Sequence, residues 1–194
     1  MEHEEVLNHF RDAGALLEGH FLLSSGLHSP VYLQCARVMM DARRGEILCK
    51  ALADTVRAGL KEKIDLVVAP AMGGILVGYE LGRQLGVPTI FAERVEGTFT
   101  IRRGFSIPDG AKILLSEDIV TTGLSSRECI NVVRKHGGDV VAAACLIDRS
   151  NGRADVGVPL FSLTRLDVPA YESSAVPPEL AAIPAEKPGS RGLN

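Results

Sequence analysis

Two adjacent acids, Glu117 and Asp118, stand at the end of an apolar run and directly before a cluster of Thr, Gly and Ser in "ILLSEDIVTTGLSS", residues 113–126. Hydroxyls, a glycine and the free N–H groups of a starting helix make an anion site well suited to a phosphate. Carboxylates beside it would repel that phosphate unless they address another part of the same ligand. A carboxylate accepts hydrogen bonds from O–H donors, and a ribose offers two of them side by side in its 2′,3′-diol. The stretch therefore describes a grip on a sugar phosphate, with the diol on the acids and the phosphate on the loop. The plainer alternative is a polar strand end followed by a helix N-cap. An acid pair between an apolar strand and such a cluster is a much rarer combination, and it favours the ligand. No GxxxxGK[ST] occurs in the chain and no GxGxxG follows a strand, so the P-loop and dinucleotide-binding readings drop out.

The elements that must position this stretch follow from hydrophobic period. Residues 3–14 form a first helix candidate, and "EGHFLLSSGLHSPVYLQC" brackets a Ser-Ser-Gly turn, the pattern of a hairpin. From residue 42, Leu48, Leu52, Val56 and Leu60 recur every four residues, the stripe of an amphipathic helix. Short apolar strands ("IDLVVAP", "VPTIFAERV", "KILLSEDI", "DVVAAACLIDRS") then alternate with helices ("GGILVGYELGRQLG", "SSRECINVVRKHGG"). That alternation predicts an α/β fold with a parallel sheet covered on both faces, whose ligands bind outside the carboxyl ends of the strands. Three strands end there in polar or Gly-rich material: "APAMGG", "SEDIVTTGLSS" and "LIDRSNG". Residues 94–110, "RVEGTFTIRRGFSIPDG", are charged and Gly-punctuated and read as a mobile β-ribbon leaving the sheet. The Pro-rich tail from residue 173 reads as irregular structure that packs in places.

Composition narrows the class. At 194 residues the chain is expected to hold one domain with one core, spanning 1–194. A net charge of −3 with the two signs intermixed offers no basic stripe, so nucleic acid is not an expected partner. No apolar run approaches a membrane span, and the acidic start "MEHEEVLNHF" is unlike a secretory leader, which points to a cytoplasmic protein. Cys35, Cys49, Cys129 and Cys145 lack metal-ligand spacing and read as buried thiols, and the five histidines are scattered.

"ILLSEDIVTTGLSS" resembles the signature that type I phosphoribosyltransferases use to bind 5-phosphoribosyl 1-pyrophosphate (PRPP). Within that class, "GHFLLSSGLHSPVYLQC", "VVAPAMGGILVGYELGRQLGVPTIFAER", "IRRGF", "LIDRSNG" and "KPGSR" are similar to the orotate phosphoribosyltransferases, so the likeness covers nearly the whole chain. It implies a mainly parallel five-stranded sheet flanked by helices, with a small hood from the N-terminal hairpin (about 15–35) and part of 155–194. Glu117 and Asp118 would hold the ribose hydroxyls, and Ile119, Val120, Thr121, Thr122, Gly123, Leu124 and Ser125 would follow as the PRPP loop around the 5′-phosphate. Thr121 and Arg149 would contact orotate; a guanidinium fork matches a carboxylate bidentately, against the alternative of an Arg149–Asp148 surface pair. The loop from Pro70 through Gly73 and Gly74 would meet pyrophosphate. Arg94, Arg102 and Arg103 would bring cations from a loop shared with the neighbouring subunit of a homodimer, Arg94 first among them. Mg²⁺ would be held mainly by substrate oxygens and water, with no protein ligand set of its own. The same fold acting on a purine, or kept as a PRPP-sensing regulator, are the alternatives.

The chain departs from the resemblance at three positions where many members carry lysine: Ser24, Gly73, and the pair Gly97–Thr98. The charge they would supply then falls to Arg94, Arg102, Arg103 or His28, to backbone N–H groups, or to the metal.

Overall fold

The computed structural model describes residues 1–23 and 26–188. Ser24, and Gly189 to Arg191 of the "KPGSR" segment, lie outside the described residues.

Strand burial explains the central sheet. β3 (Leu66–Pro70) is buried at every position, and β6 (Lys112–Val120) and β7 (Asp139–Asp148) nearly so. Such runs are stable only where both faces of a sheet are covered. Successive side chains go to opposite sides, so Val67 and Leu114 enter one core while Val68 and Leu115 enter the other. The first core is closed by α3 (Ala42–Gly59) and α4 (Gly74–Leu85), through Leu48, Leu52, Val56, Val77 and Leu81. The second is closed by α5 (Leu124–Lys135), through Cys129, Ile130 and Val133. Cys35, Cys49, Cys129 and Cys145 are all free and buried, as expected. In α4 a Cβ on Gly78 would sit 2.7 Å from the Cβ of Ala69, so glycine lets this helix lie directly on β3.

With β4 (Thr89–Val95), β5 (Thr98–Ile101) and β8 (Leu160–Arg165), the sheet order is β5-β4-β3-β6-β7-β8. The five strands from β4 to β8 are parallel, and the excursion adds β5 as a sixth, antiparallel strand. Its turn places Glu96 and Gly97 at φ 48° and 83°, the two left-handed positions of a type I′ hairpin. The ribbon is therefore a regular continuation of β4. β8, a half-buried edge strand, was not marked by the hydrophobic pattern, and neither was the short α2 (Cys35–Met39).

A second, two-stranded sheet pairs β1 (Leu16–Leu22) with β2 (His28–Leu33) in antiparallel fashion. The C-terminal segment joins it by bridges from Phe21 to Glu186 and from His28 to Tyr171, forming the expected hood. α1 (His3–Asp12) buries Val6, Leu7 and Phe10 beneath.

Candidate active site

The carboxyl ends of β3, β6 and β7 lie side by side in parallel register and deliver the three polar strand ends to one edge. Two clefts open there. The first, about 320 Å³, is lined by the Pro70–Gly73 loop, Arg94, Phe99, the acid pair and Thr121 to Ser126. The second, about 680 Å³, lies between the hood and the end of β7. Thr121 and Thr122 line both and mark where they meet.

Glu117 is 8 % exposed. Its carboxyl accepts from the Ser126 hydroxyl at 3.3 Å. Loss of water raises its pKa from 4.5 to about 8, with the neighbouring Asp118 charge adding to the rise and Ser126 and Arg94 opposing it. Asp118 is also raised, chiefly by burial, although its Oδ1 accepts from the Ile119 N–H at 2.8 Å. Both carboxyls line the first cleft and have few protein donors, which leaves acceptor capacity facing it. Ile119 and Val120 border the cleft while packing against the two cores.

Behind the acids, Gly123 adopts φ 76° and caps α5, whose first N–H groups look into the loop. The Thr122 hydroxyl accepts from the Leu124 N–H at 3.3 Å, and Arg127 bonds the carbonyls of Thr122 and Asp155. The loop is thus tied from outside and leaves its inner face to a ligand. Across the cleft the Ala71–Met72 peptide is cis. A Cβ on Gly73 would fall 2.7 Å from Asp118 Oδ2, so the acid rests on a position with no room for a side chain. Gly74 starts α4 against the Ser116 carbonyl, 2.9 Å from where its Cβ would be.

Arg94 reaches this cleft from β4. The structure does not bring Arg102 or Arg103 to either cleft: Arg103 grips Glu93 at 2.9 and 3.0 Å at the root of the ribbon, and Arg102 is exposed beside it. His28 is likewise engaged elsewhere. The Ile183 carbonyl lies 2.7 Å from His20 Nδ1 and must receive a proton from it, which leaves His20 Nε2 to accept from His28 Nδ1 at 2.7 Å. His28 Nε2 then accepts from Ser173 at 2.9 Å, so this chain clamps the hood to the tail.

Arg149 stands in the second cleft, half-buried. Its backbone N–H continues the sheet to Val120 O at 2.8 Å, and Nη2 makes a long 3.4 Å contact with Ser29 of the hood. The Nε is buried without a partner among the described residues, and burial lowers the pKa. Asp148 does not pair with it: that carboxylate accepts from the Ser150 N–H and hydroxyl and the Gly152 N–H at 2.6 to 2.8 Å. A buried guanidinium edge lacking an acceptor has the donor geometry that matches a planar carboxylate. Ser126, Ser29 and Phe99 also line or support the clefts; each lies within a stretch singled out in the sequence, but none was named individually, because only the fold shows what its side chain touches.

A parallel sheet with an acid pair followed by a Thr/Gly/Ser loop at a helix start, on one edge, points to a phosphoribosyl-transferring class. The phosphoribosyl transferase domain model matches residues 39–172. Orotate phosphoribosyltransferases from Phenylobacterium zucineum and Maricaulis maris are 61 % and 59 % identical over 193 residues, covering 100 % of this chain and 99 % and 100 % of those proteins. Among solved structures, orotate phosphoribosyltransferase from Aeropyrum pernix superposes with a TM-score of 0.71 at 26 % identity, over 83 % of this chain and 93 % of that one. The chain belongs to the phosphoribosyltransferase family and, within it, to the orotate phosphoribosyltransferases.

Proposed function

We propose that this chain transfers the 5-phosphoribosyl group of PRPP to orotate, giving orotidine 5′-monophosphate and pyrophosphate in de novo pyrimidine synthesis. The observation that carries the reading is the unpartnered, buried Arg149 Nε in a cleft that joins the acid-pair cleft at Thr121. A purine has no carboxylate to offer that guanidinium, and leaving it unpaired would cost binding.

In this reading the ribose diol donates to Glu117 and Asp118, the 5′-phosphate accepts from the Thr121–Ser125 loop and the first turn of α5, and pyrophosphate lies between the Pro70–Gly74 loop and Arg94. Orotate enters beneath the hood with its carboxylate on Arg149 and its ring nitrogen toward the anomeric carbon. Binding orotate as its anion removes the need for a general base. The chain's contribution is orientation of the two reactants and electrostatic support: Arg94 faces the departing negative charge, and the acids face the positive charge growing on the ribose. The hood and ribbon keep water from a centre it would hydrolyse.

Mg²⁺ suits this site because the cleft offers hard carboxylate oxygens beside the place of the phosphates. It would be held mainly by substrate oxygens and water, with Glu117 and Asp118 nearest, and it would supply neutralisation of the pyrophosphate charge.

The active form is a homodimer. On α4, Leu76 and Tyr79 are 50 and 67 % exposed, and Met72, in the turn just before the helix, is 81 % exposed. Such exposed apolar side chains fit a two-fold interface, and the ribbon with its exposed Arg102 is the part placed to reach a second subunit. Among the described residues no helix is long and apolar enough to cross a membrane, and the enzyme works in the cytoplasm.

The test is pyrophosphate release from PRPP with orotate, adenine, hypoxanthine, xanthine or uracil. Release with orotate alone is expected; release with a purine in its place, or with no base at all, overturns the reading.

A further inference from the structure

Arg94 is held from three sides. Its Nη1 donates to the Gly97 carbonyl at 2.7 Å, its Nη2 to Glu128 Oε2 at 2.5 Å, and its guanidinium carbon lies 4.0 Å from the centre of the Phe99 ring. Gly97 and Phe99 belong to the ribbon itself, and Phe99 is the cross-strand partner of Arg94. Glu128 does not: it comes from α5, the helix whose start forms the phosphate loop. A guanidinium has five N–H donors. Two are taken here, and the side chain also borders the cleft that holds the acid pair.

An arginine at the root of a long side chain loses much rotamer freedom when it meets an anion, unless that freedom is already lost. The stacking ring and the turn carbonyl restrain the guanidinium within the ribbon, whose Phe99 is already packed in the second core. The Glu128 carboxylate adds a direct tie from the guanidinium to the helix that begins at the phosphate loop. We infer that Glu128 is a positioning residue, which holds Arg94 at a set distance from the Thr121–Ser125 loop so that the two anionic ends of PRPP are gripped in one fixed geometry. The exposed Arg–carboxylate pair, each side chain about 40 % accessible, contributes little to global stability. Its value lies in placement.

This inference rests on the reading of Arg94 as a contact of the pyrophosphate, and the experiment separates the two. The purified full-length chain is assayed with PRPP, Mg²⁺ and orotate as wild type, Glu128→Ala, Glu128→Gln, Arg94→Ala and the Arg94→Ala/Glu128→Ala double variant. Glu128→Ala is expected to lower kcat/KM for PRPP by about tenfold or more, with KM for orotate unchanged, Glu128→Gln in between, and thermal midpoints close to wild type. In the Arg94→Ala background, removing Glu128 is expected to do nothing further. Equal losses with and without Arg94, or an equal rise in both KM values, would make Glu128 merely structural and overturn the inference. So would a gain in PRPP affinity, which would make it a competitor for the guanidinium. If Arg94→Ala itself leaves PRPP kinetics unchanged, the reading of Arg94 fails first and the inference with it; if Arg94→Ala is damaging and Glu128→Ala is silent, only the inference fails.

Discussion

The two clefts are made in different ways. The ribose-phosphate cleft takes ten of its lining positions from the unbroken segment Glu117 to Ser126. The base cleft is assembled from the hood (Leu23, Leu27, Tyr32), the junction threonines, the Arg149–Ala154 turn and the Val168–Ala170 segment. One is a strand end and a helix start, a local device whose geometry follows from backbone N–H groups and a glycine cap. The other exists only when the hairpin, β7 and the C-terminal segment have packed together. A local grip can be shared across a whole class of enzymes, whereas an assembled cleft can change its guest by altering one wall. In the reading proposed above, the part that would grip PRPP is contiguous, and the part that would choose the base is not.

If the clefts are separable in this way, damage to one should leave the other's ligand alone. The largest effect is expected from Arg149→Ala. Losing a bidentate, charge-assisted contact at roughly 1.5–3 kcal/mol per bond lowers kcat/KM for orotate on the order of 10²- to 10⁴-fold. The dissociation constant of PRPP, measured by calorimetry with Mg²⁺ present, stays within about twofold. An equal loss for both ligands would break the comparison, because it would mean that Arg149 supports the Thr121 junction rather than the base.

A smaller effect, of unexpected sign, tests the ribose-phosphate side. Gly73 stands where many related enzymes carry lysine, and adding a cation near pyrophosphate would be expected to help. Here the space is taken: a Cβ would lie 2.7 Å from Asp118 Oδ2 and 3.0 Å from its carboxyl carbon, and that carboxyl is tethered by the Ile119 N–H. Gly73→Lys should therefore lower kcat/KM for PRPP, about ten- to a hundredfold. Gly73→Ala should fall in the same direction, which assigns the loss to displaced Asp118 rather than to charge. A faster Gly73→Lys enzyme would show that the cleft is short of a cation and that the acid pair yields easily.

The contrast also accounts for what could be read in advance. Glu117, Asp118 and the Thr121–Ser125 loop were legible because their chemistry lies in consecutive residues, and the parallel sheet was legible because β3, β6 and β7 are apolar throughout. β8 was not, since a half-buried edge strand lacks that continuous signature. Arg94 was ranked ahead of Arg102 and Arg103 from the sequence, but the reason for the ranking needed the fold: cross-strand register sets Arg94 over Phe99 and toward the cleft, while Glu93 occupies Arg103. Ser126 escaped for a related reason: its hydroxyl points back to Glu117 across nine residues, a relation that no local pattern carries. Arg149 was marked through the family resemblance, but its unpartnered Nε, a physical reason to assign it a ligand, needed the fold.

The smallest expected effect is a pH dependence confined to one cleft. Burial and the Asp118 charge hold the Glu117 pKa near 8 in the free protein, so at pH 7 the folded state keeps a proton that the unfolded chain, titrating near 4.5, has lost. Stability then falls as pH rises from about 4.5 to about 8 and is level above, because across that window the native state binds more protons than the unfolded one. PRPP should act in the opposite sense. A diol donating to Glu117 favours the ionised carboxylate and lowers its pKa in the complex, so binding releases a proton and affinity rises with pH until about 8. Calorimetry at pH 6.8, 7.4 and 8.6 in buffers of differing ionisation enthalpy should show net proton release that shrinks toward the highest pH. Glu117→Gln should abolish both that release and the slope of the thermal midpoint, while the dependence of orotate binding on Arg149 stays as it was. Proton uptake on PRPP binding, or a wild-type slope surviving in Glu117→Gln, would mean that the diol does not rest on Glu117, and the contiguous half of the site would lose its ligand assignment.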